Sequence, residues 1–230
     1  MPSPISSLMA AMHKPVYARR LRELVSLITP HLREGDRVLD VGCGNGTLGD
    51  ALMIAPNAPR GLIVEGLERY KRGGEPITVH PYDGVTFPFP DASWDVVILA
   101  DVLHHEEDPD RLVRECVRVS RRLLIIKDHQ LKGPLAKARV SLIDWAANAP
   151  YGVKCLYRYN TPNEWRAWPA KFGAAIAKEY PSIVLYPPVF NQLFGNSLQY
   201  LAVWNVPERA GVGAALKPAP RENEWRKGPN

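Results

Sequence analysis

The 230-residue chain predicts one α/β unit built on a doubly wound, mostly parallel sheet. Three observations carry this. Short apolar strands alternate with helical stripes over the first 130 residues. The first strand runs straight into a glycine turn and a helix. The fourth strand is apolar almost without a break, as a central parallel strand covered on both faces requires.

Leu21, Leu24, Val25, Ile28 and Leu32 recur at helical spacing and predict a helix over about 16–33, interrupted near Pro30. After the turn Glu34-Gly-Asp36, Arg37–Val41 reads as a buried strand, and Thr47 begins a helix. Leu62–Glu68 is the second strand, Ile77–Val79 a short third and Trp94–Ala100 the fourth. Asp108 before Pro109 is an N-cap with proline at the first helical position. The inner stripe of that helix is Leu112, Val113, Cys116 and Val117. Leu123–Ile126 is the fifth strand. Ser182–Tyr186 and Leu198–Trp204 read as two final strands, an antiparallel pair closing the sheet edge and bringing the total to seven. Residues 1–206 are expected to form the domain, with a lid over about 130–170 rich in Trp and Tyr. The Pro-, Gly- and charge-rich segment 207–230 reads as a loose tail.

Hydrophobic residues make up 46% of the chain and charged residues 23%, enough for a sizeable core. The formal charge is +5, which admits an acidic partner. The densest basic cluster, Lys14, Arg19, Arg20 and Arg22, is interleaved with Glu23 and reads as a solvated helix face, so nucleic acid is not the expected partner. Three cysteines give no disulfide framework and point to a reducing, cytoplasmic compartment. No apolar run approaches the roughly 20 residues of a membrane span, and no secretory signal is evident. Oligomeric state leaves no mark in the sequence.

The glycine turn is the chemical centre of the chain. Asp40 ends a strand, and Gly42, Gly44 and Gly46 let the backbone turn sharply and approach a ligand. The spacing is G-x-G-x-G after an acidic residue, not the G-x-G-x-x-G of dinucleotide sites. The segments Val38-Leu-Asp-Val-Gly-Cys-Gly-Asn-Gly46, Pro88-Phe-Pro-Asp-Ala-Ser-Trp-Asp-Val-Val97 and Asp101-Val-Leu-His-His105 together resemble the class I S-adenosylmethionine-dependent methyltransferases, a Rossmann-like family, and its small-molecule enzymes in particular. The resemblance runs from about Val16 to Asp128. It weakens beyond, although Asp144-Trp145, residues 148–153 and Tyr159–Trp165 look like the lid of some of these enzymes.

The resemblance implies S-adenosylmethionine as cofactor and S-adenosylhomocysteine as product. It places the methionine end against Asp40 and the loop Gly42, Cys43, Gly44, Asn45 and Gly46. A carboxylate at the end of the second strand would accept from the ribose hydroxyls; Glu68 fits the pattern better than Glu65. Asp83, between Tyr82 and Gly84, would meet the adenine, and Ala100 and Asp101 would border the transferred methyl group. His104, His105 and His129 are candidate bases for the acceptor, with structural packing as the alternative for each. No metal is expected, because His104, His105, Glu106, Glu107 and Asp108 are consecutive and no second ligand group has clear spacing. The implied activity is methyl transfer to a small molecule. The alternatives are an RNA methyltransferase, for example one acting on transfer RNA, and a non-catalytic binding protein of the same fold.

Overall fold

The computed structural model describes residues 17–70, 72–148, 155–186, 191 and 195–207. Helix α1 covers 17–28 and ends in a 3-10 turn, Thr29–His31, with Pro30 in its first turn. Then follow β1 (Arg37–Val41), α2 (Thr47–Ile54), β2 (Ile63–Glu68), β3 (Val79–Pro81), β4 (Trp94–Ala100), α3 (Pro109–Val119) and β5 (Ser120–His129). Next come α4 (Ala136–Asn148), α5 (Pro162–Ala167), β6 (Ala175–Tyr180) and β7 (Gln199–Asn205).

The seven strands lie in the order β3-β2-β1-β4-β5-β7-β6. Strands β1 to β5 are parallel, and β7 runs antiparallel to both of its neighbours. The order reverses between β1 and β4, so the crevice beyond their carboxyl ends is where such a sheet takes a ligand.

The period-2 alternation of the strands divides the core. Leu39, Val41, Val97, Leu99, Leu124 and Ile126 face the α3 side, where Leu112, Val113, Cys116 and Val117 cover them. Val38, Val96, Ile98, Leu123 and Ile125 face the other side, under Leu24 and Ile28 of α1 and Leu52 of α2. Asp108 caps α3 by accepting from the Arg111 amide at 3.0 Å.

Three expectations change. The sixth strand is Ala175–Tyr180, not Ser182–Tyr186. The latter stretch is irregular, and its apolar Ile183 and Leu185 are buried against the α1 side of the sheet instead of in a ladder. The third strand is shifted to Val79–Pro81, and β5 extends well past Ile126 to His129. The aromatic residues between β5 and β6 divide as well. Trp165 and Trp168 are core, with Trp165 stacked on Tyr200 at 4.9 Å. Trp145 and Tyr157 are exposed. Tyr151, Lys14 and the 207–230 tail beyond Pro207 lie outside the described residues.

Candidate active site

The carboxyl ends of β1, β2 and β4 converge on the glycine loop. Gly42 has φ +69°, and a Cβ there would stand 2.6 Å from Val102 Cγ2. Gly46 has φ +75°, and its Cβ would stand 2.8 Å from Ile77. At both positions a side chain meets strain and collision, so the turn requires glycine. Gly42 is tied to β2 through its amide, which donates to Leu67 O at 2.8 Å.

Asp40 is buried at the end of β1, and its Oδ2 has no hydrogen-bond partner. Burial, reinforced by the Glu68 charge, raises its pKa to about 7 against the opposing pull of Arg20. A buried carboxylate in that condition calls for a cation from outside the chain. Glu68 lies across the loop. Its Oε2 accepts from the Gly44 amide at 3.0 Å and its Oε1 from the Arg69 amide at 2.8 Å. Glu65 points elsewhere, to His80 and Arg37. Cys43 flanks Gly66 on β2. Burial pushes its thiol pKa up, so it fills space and is no thiolate. Asn45 Oδ1 accepts from the Thr47 hydroxyl at 2.7 Å.

Asp83 forms an Asx turn, its Oδ1 accepting from the Val85 and Thr86 amides at 2.7 and 2.8 Å. Those amides hold its pKa below the ordinary value. Tyr82 stands edge-on to Phe87. Asp83 and Gly84 line a cavity of about 340 Å³ together with Arg69, His105 and Arg111.

Ala100 ends β4, paired with Lys127 on β5. Asp101 follows at φ +58°, its amide donating to Lys127 O at 2.8 Å. Its carboxylate is ion-paired with Arg20 of α1 and Lys127 of β5. Burial opposes that charge, but Lys127 and Arg20 outweigh it and hold the carboxyl well below the usual range. Arg20 is therefore not part of a solvated helix face, as its basic cluster suggested. Lys127, with a side chain 2% exposed, is another residue that sequence reasoning missed. A Lys-Asp-His run closing an apolar central strand was its visible signal.

The three histidines cluster. His104 is buried, and its Nδ1 lies 2.6 Å from Asp128 Oδ1. Burial disfavours charge on this ring, but Asp128 prevails and raises its pKa. His129 is also buried, 5.0 Å from His104 between ring centroids. Burial, with Lys127 beside it, lowers its pKa to about 4. Its Nδ1 accepts from Gln199 Nε2 at 3.2 Å, and its Nε2 faces Asp101 at 4.0 Å.

Asp144 of α4, fully buried, completes the cluster. Its Oδ1 lies 3.6 Å from His104 Nε2 and 3.9 Å from His105 Nε2. Its Oδ2 accepts from the Tyr159 hydroxyl at 2.7 Å. The premise behind expecting no metal is thereby corrected. Glu106 turns to Arg69 and Asp108 caps α3, but the fold brings a distant carboxylate to His104 and His105, and Asp101 and His129 to the other side of His104.

Residues 39–123 match the family model described as a methyltransferase domain. The 27-O-demethylrifamycin SV methyltransferase of Amycolatopsis mediterranei is 35% identical over 111 residues, covering 44% of this chain and 40% of that protein. The chain spans about two fifths of the length of the curated relatives that it matches. A methyltransferase from Haloferax volcanii, solved in complex with the Trm112 activator, superposes with a TM-score of 0.63 at 17% identity, covering 89% of this chain and 97% of the other. Magnesium protoporphyrin IX methyltransferase of Synechocystis, solved with S-adenosylhomocysteine bound, gives 0.57 at 15% identity, covering 90% and 89%. With the glycine loop, the strand order and these likenesses in place, residues 39–123 are similar to a methyltransferase domain, within a Rossmann-like fold that the chain shares with solved methyltransferases.

Proposed function

We propose that the chain binds S-adenosylmethionine and transfers its methyl group to a small-molecule acceptor. The observation that carries this is Asp40, a buried carboxylate whose Oδ2 has no hydrogen-bond partner at the switch point of the sheet, beside a loop that requires glycine at Gly42 and Gly46. The cofactor's methionine end is cationic at its ammonium and sulfonium, and Asp40 with the Gly42, Cys43, Gly44, Asn45 and Gly46 loop would hold it. Glu68 at the end of β2 would accept from the ribose. Asp83, with Tyr82 and Gly84, would flank the adenine. Ala100 and Asp101 would border the methyl group. Bound there, the cofactor supplies an already activated methyl group, so the chain's work is to position the acceptor and exclude water.

Of the three histidines, His129 faces Asp101, the residue given to the methyl group. A group with a pKa near 4 takes up a proton poorly at neutral pH. We therefore give it positioning of the acceptor. His104 and His105 face Asp144 under α4. An acceptor that ionises readily, or one attacked at an already nucleophilic atom, suits such a site.

The likeness to a rifamycin methyltransferase favours a small acceptor. The basic side chains argue against RNA. Arg20, Arg37, Arg69, Arg118, Arg121, Arg122 and Lys127 are each engaged with a carboxylate instead of forming a stripe. Among the described residues no helix is long and apolar enough to cross a membrane, consistent with an acceptor met in water, and we place the protein in the cytoplasm.

The test is to incubate the chain with methyl-labelled S-adenosylmethionine and host extract, beside Asp40→Ala. Label in a low-mass, solvent-extractable fraction, absent in the variant, supports the reading. Label in nuclease-sensitive material overturns it in favour of RNA. Absence of cofactor binding by calorimetry overturns it in favour of a non-catalytic protein.

A further inference from the structure

The cluster under α4 contains more than a histidine pair packed against a helix. His104, His105 and Asp144 each bring one potential ligand atom to within 4.8 Å of the other two. The two separations to Asp144, 3.6 and 3.9 Å, are a few tenths of an ångström longer than the roughly 3.3–3.4 Å between two ligand atoms of a tetrahedral zinc, so each pair closes slightly around an ion. A single ion reaches both pairs with little adjustment.

Two of the three ligands are also oriented from behind. Asp128 Oδ1 accepts from the Nδ1–H of His104 at 2.6 Å, so the neutral ring presents the lone pair of Nε2 on the Asp144 side. Asp128 is itself fixed, its Oδ2 accepting from the Leu103 amide at 3.1 Å. Tyr159 holds the outer oxygen of Asp144 at 2.7 Å. A carboxylate behind a histidine, with its other nitrogen presented inward, is the support that metal-binding histidines receive.

The surrounding charge suits a cation. Asp128 and Asp144 are buried carboxylates, while Lys127 and Arg20 are drawn off to Asp101. A path exists as well, because His105 also lines the 340 Å³ cavity. The neighbouring set Asp101, His104 and His129 meets the same distance criterion. It is the poorer site, because its carboxylate already holds two cations, which would repel a third.

We propose that His104, His105 and Asp144 bind a divalent transition-metal ion, of the class that accepts imidazole and carboxylate ligands as zinc does. The ion joins α4 to the 3-10 turn Leu103–His105 that follows β4 and keeps a position open for water or a fourth donor. Cys155, whose thiol hydrogen-bonds Asp144, is such a donor. This site stands independently of the methyl-transfer reading, since its test uses neither cofactor nor acceptor.

The experiment uses the full chain, free of affinity tags and stripped with a chelator, titrated with zinc in competition with a coloured chelator and separately with cobalt. The expected result is one ion per chain, with the visible absorption of low-coordinate cobalt. Asp144→Asn and His105→Gln each weaken binding at least about tenfold and bleach that absorption. Melting curves of both variants verify that they are folded. Failure of the unaltered chain to retain zinc overturns the proposal, whatever the variants do. Binding of one ion that neither substitution weakens assigns it elsewhere on the chain and overturns it equally.

Discussion

Asp40 carries opposing demands at the scale of one residue. Its folded pKa, near 7, is above the roughly 3.9 of an exposed aspartate. A carboxyl raised in this way costs nothing below pH 4 and costs progressively more as the pH rises to 7, at most about 4 kcal/mol above it. The ligand-free protein therefore loses stability over that window. Asp40→Asn removes the slope and raises the midpoint of urea unfolding at neutral pH, while cofactor binding is lost. In the unaltered protein, cofactor binding at pH 6–7 releases protons, because the cation restores the ionised form. Calorimetry in two buffers of different ionisation enthalpy measures that release, and its absence would remove Asp40 from the cofactor site. Gly42 is constrained in the opposite sense, by space. Gly42→Ala combines a positive φ with a collision at Val102 and costs about 2–3 kcal/mol in denaturant unfolding. Adding Val102→Ala recovers part of that loss, since the collision goes and the backbone strain stays.

Elements meet at Asp101. Helix α1, strand β4 and strand β5 are joined by the pairs from Asp101 to Arg20 and Lys127, so this one carboxylate anchors the N-terminal helix over the carboxyl edge of the sheet. Asp101→Asn leaves two largely buried cations facing each other and costs about 3 kcal/mol. The folded pKa is depressed here, so the contribution is fully present above about pH 4 and is lost as the pH falls toward the folded value. An acid-unfolding midpoint unchanged by the substitution would argue against that anchoring. Helix α5 is a shorter case. Thr161 and Glu164 form a reciprocal capping box, with the Thr161 hydroxyl accepting from the Glu164 amide at 3.3 Å and Glu164 Oε2 accepting from the Thr161 amide at 2.7 Å. The cap holds Trp165 where its indole nitrogen donates to His129 O at 3.2 Å. Thr161→Ala costs about 1 kcal/mol by thermal unfolding.

The whole molecule couples these parts through its sheet. Cofactor at one hundred times its dissociation constant stabilises the fold by about 2.7 kcal/mol. For a chain of this size that is a rise in Tm of roughly 5–10 °C by the usual scaling of unfolding entropy with length. Thermal shift measures it, and the rise should vanish in Asp40→Asn. A Tm indifferent to S-adenosylmethionine but raised by zinc would separate the two sites, leaving the metal centre and discarding the cofactor reading.

What the sequence determined by itself is local. Arg37–Val41 and Trp94–Ala100 are strands because apolar, largely β-branched runs have few other solutions, and both have the predicted bounds. The Asp108 cap, the α3 stripe and the glycine turn follow from chemistry within a few residues of one another. Tertiary structure decided what depends on distant partners. Ala175–Tyr180, with Ala, Lys and Glu among its six residues, has no strand pattern of its own and is a strand because β7 offers it a ladder at the sheet edge. Ser182–Tyr186 has the pattern of a strand but buries Ile183 and Leu185 over the sheet face instead. Arg20 looked like a surface charge until Asp101, 81 residues later, claimed it. Asp144 meets His104 and His105 only once α4 lies across the carboxyl edge. Spacing along a chain records neighbours within a turn or a strand, whereas a buried charge is decided by whichever partner the fold carries to it.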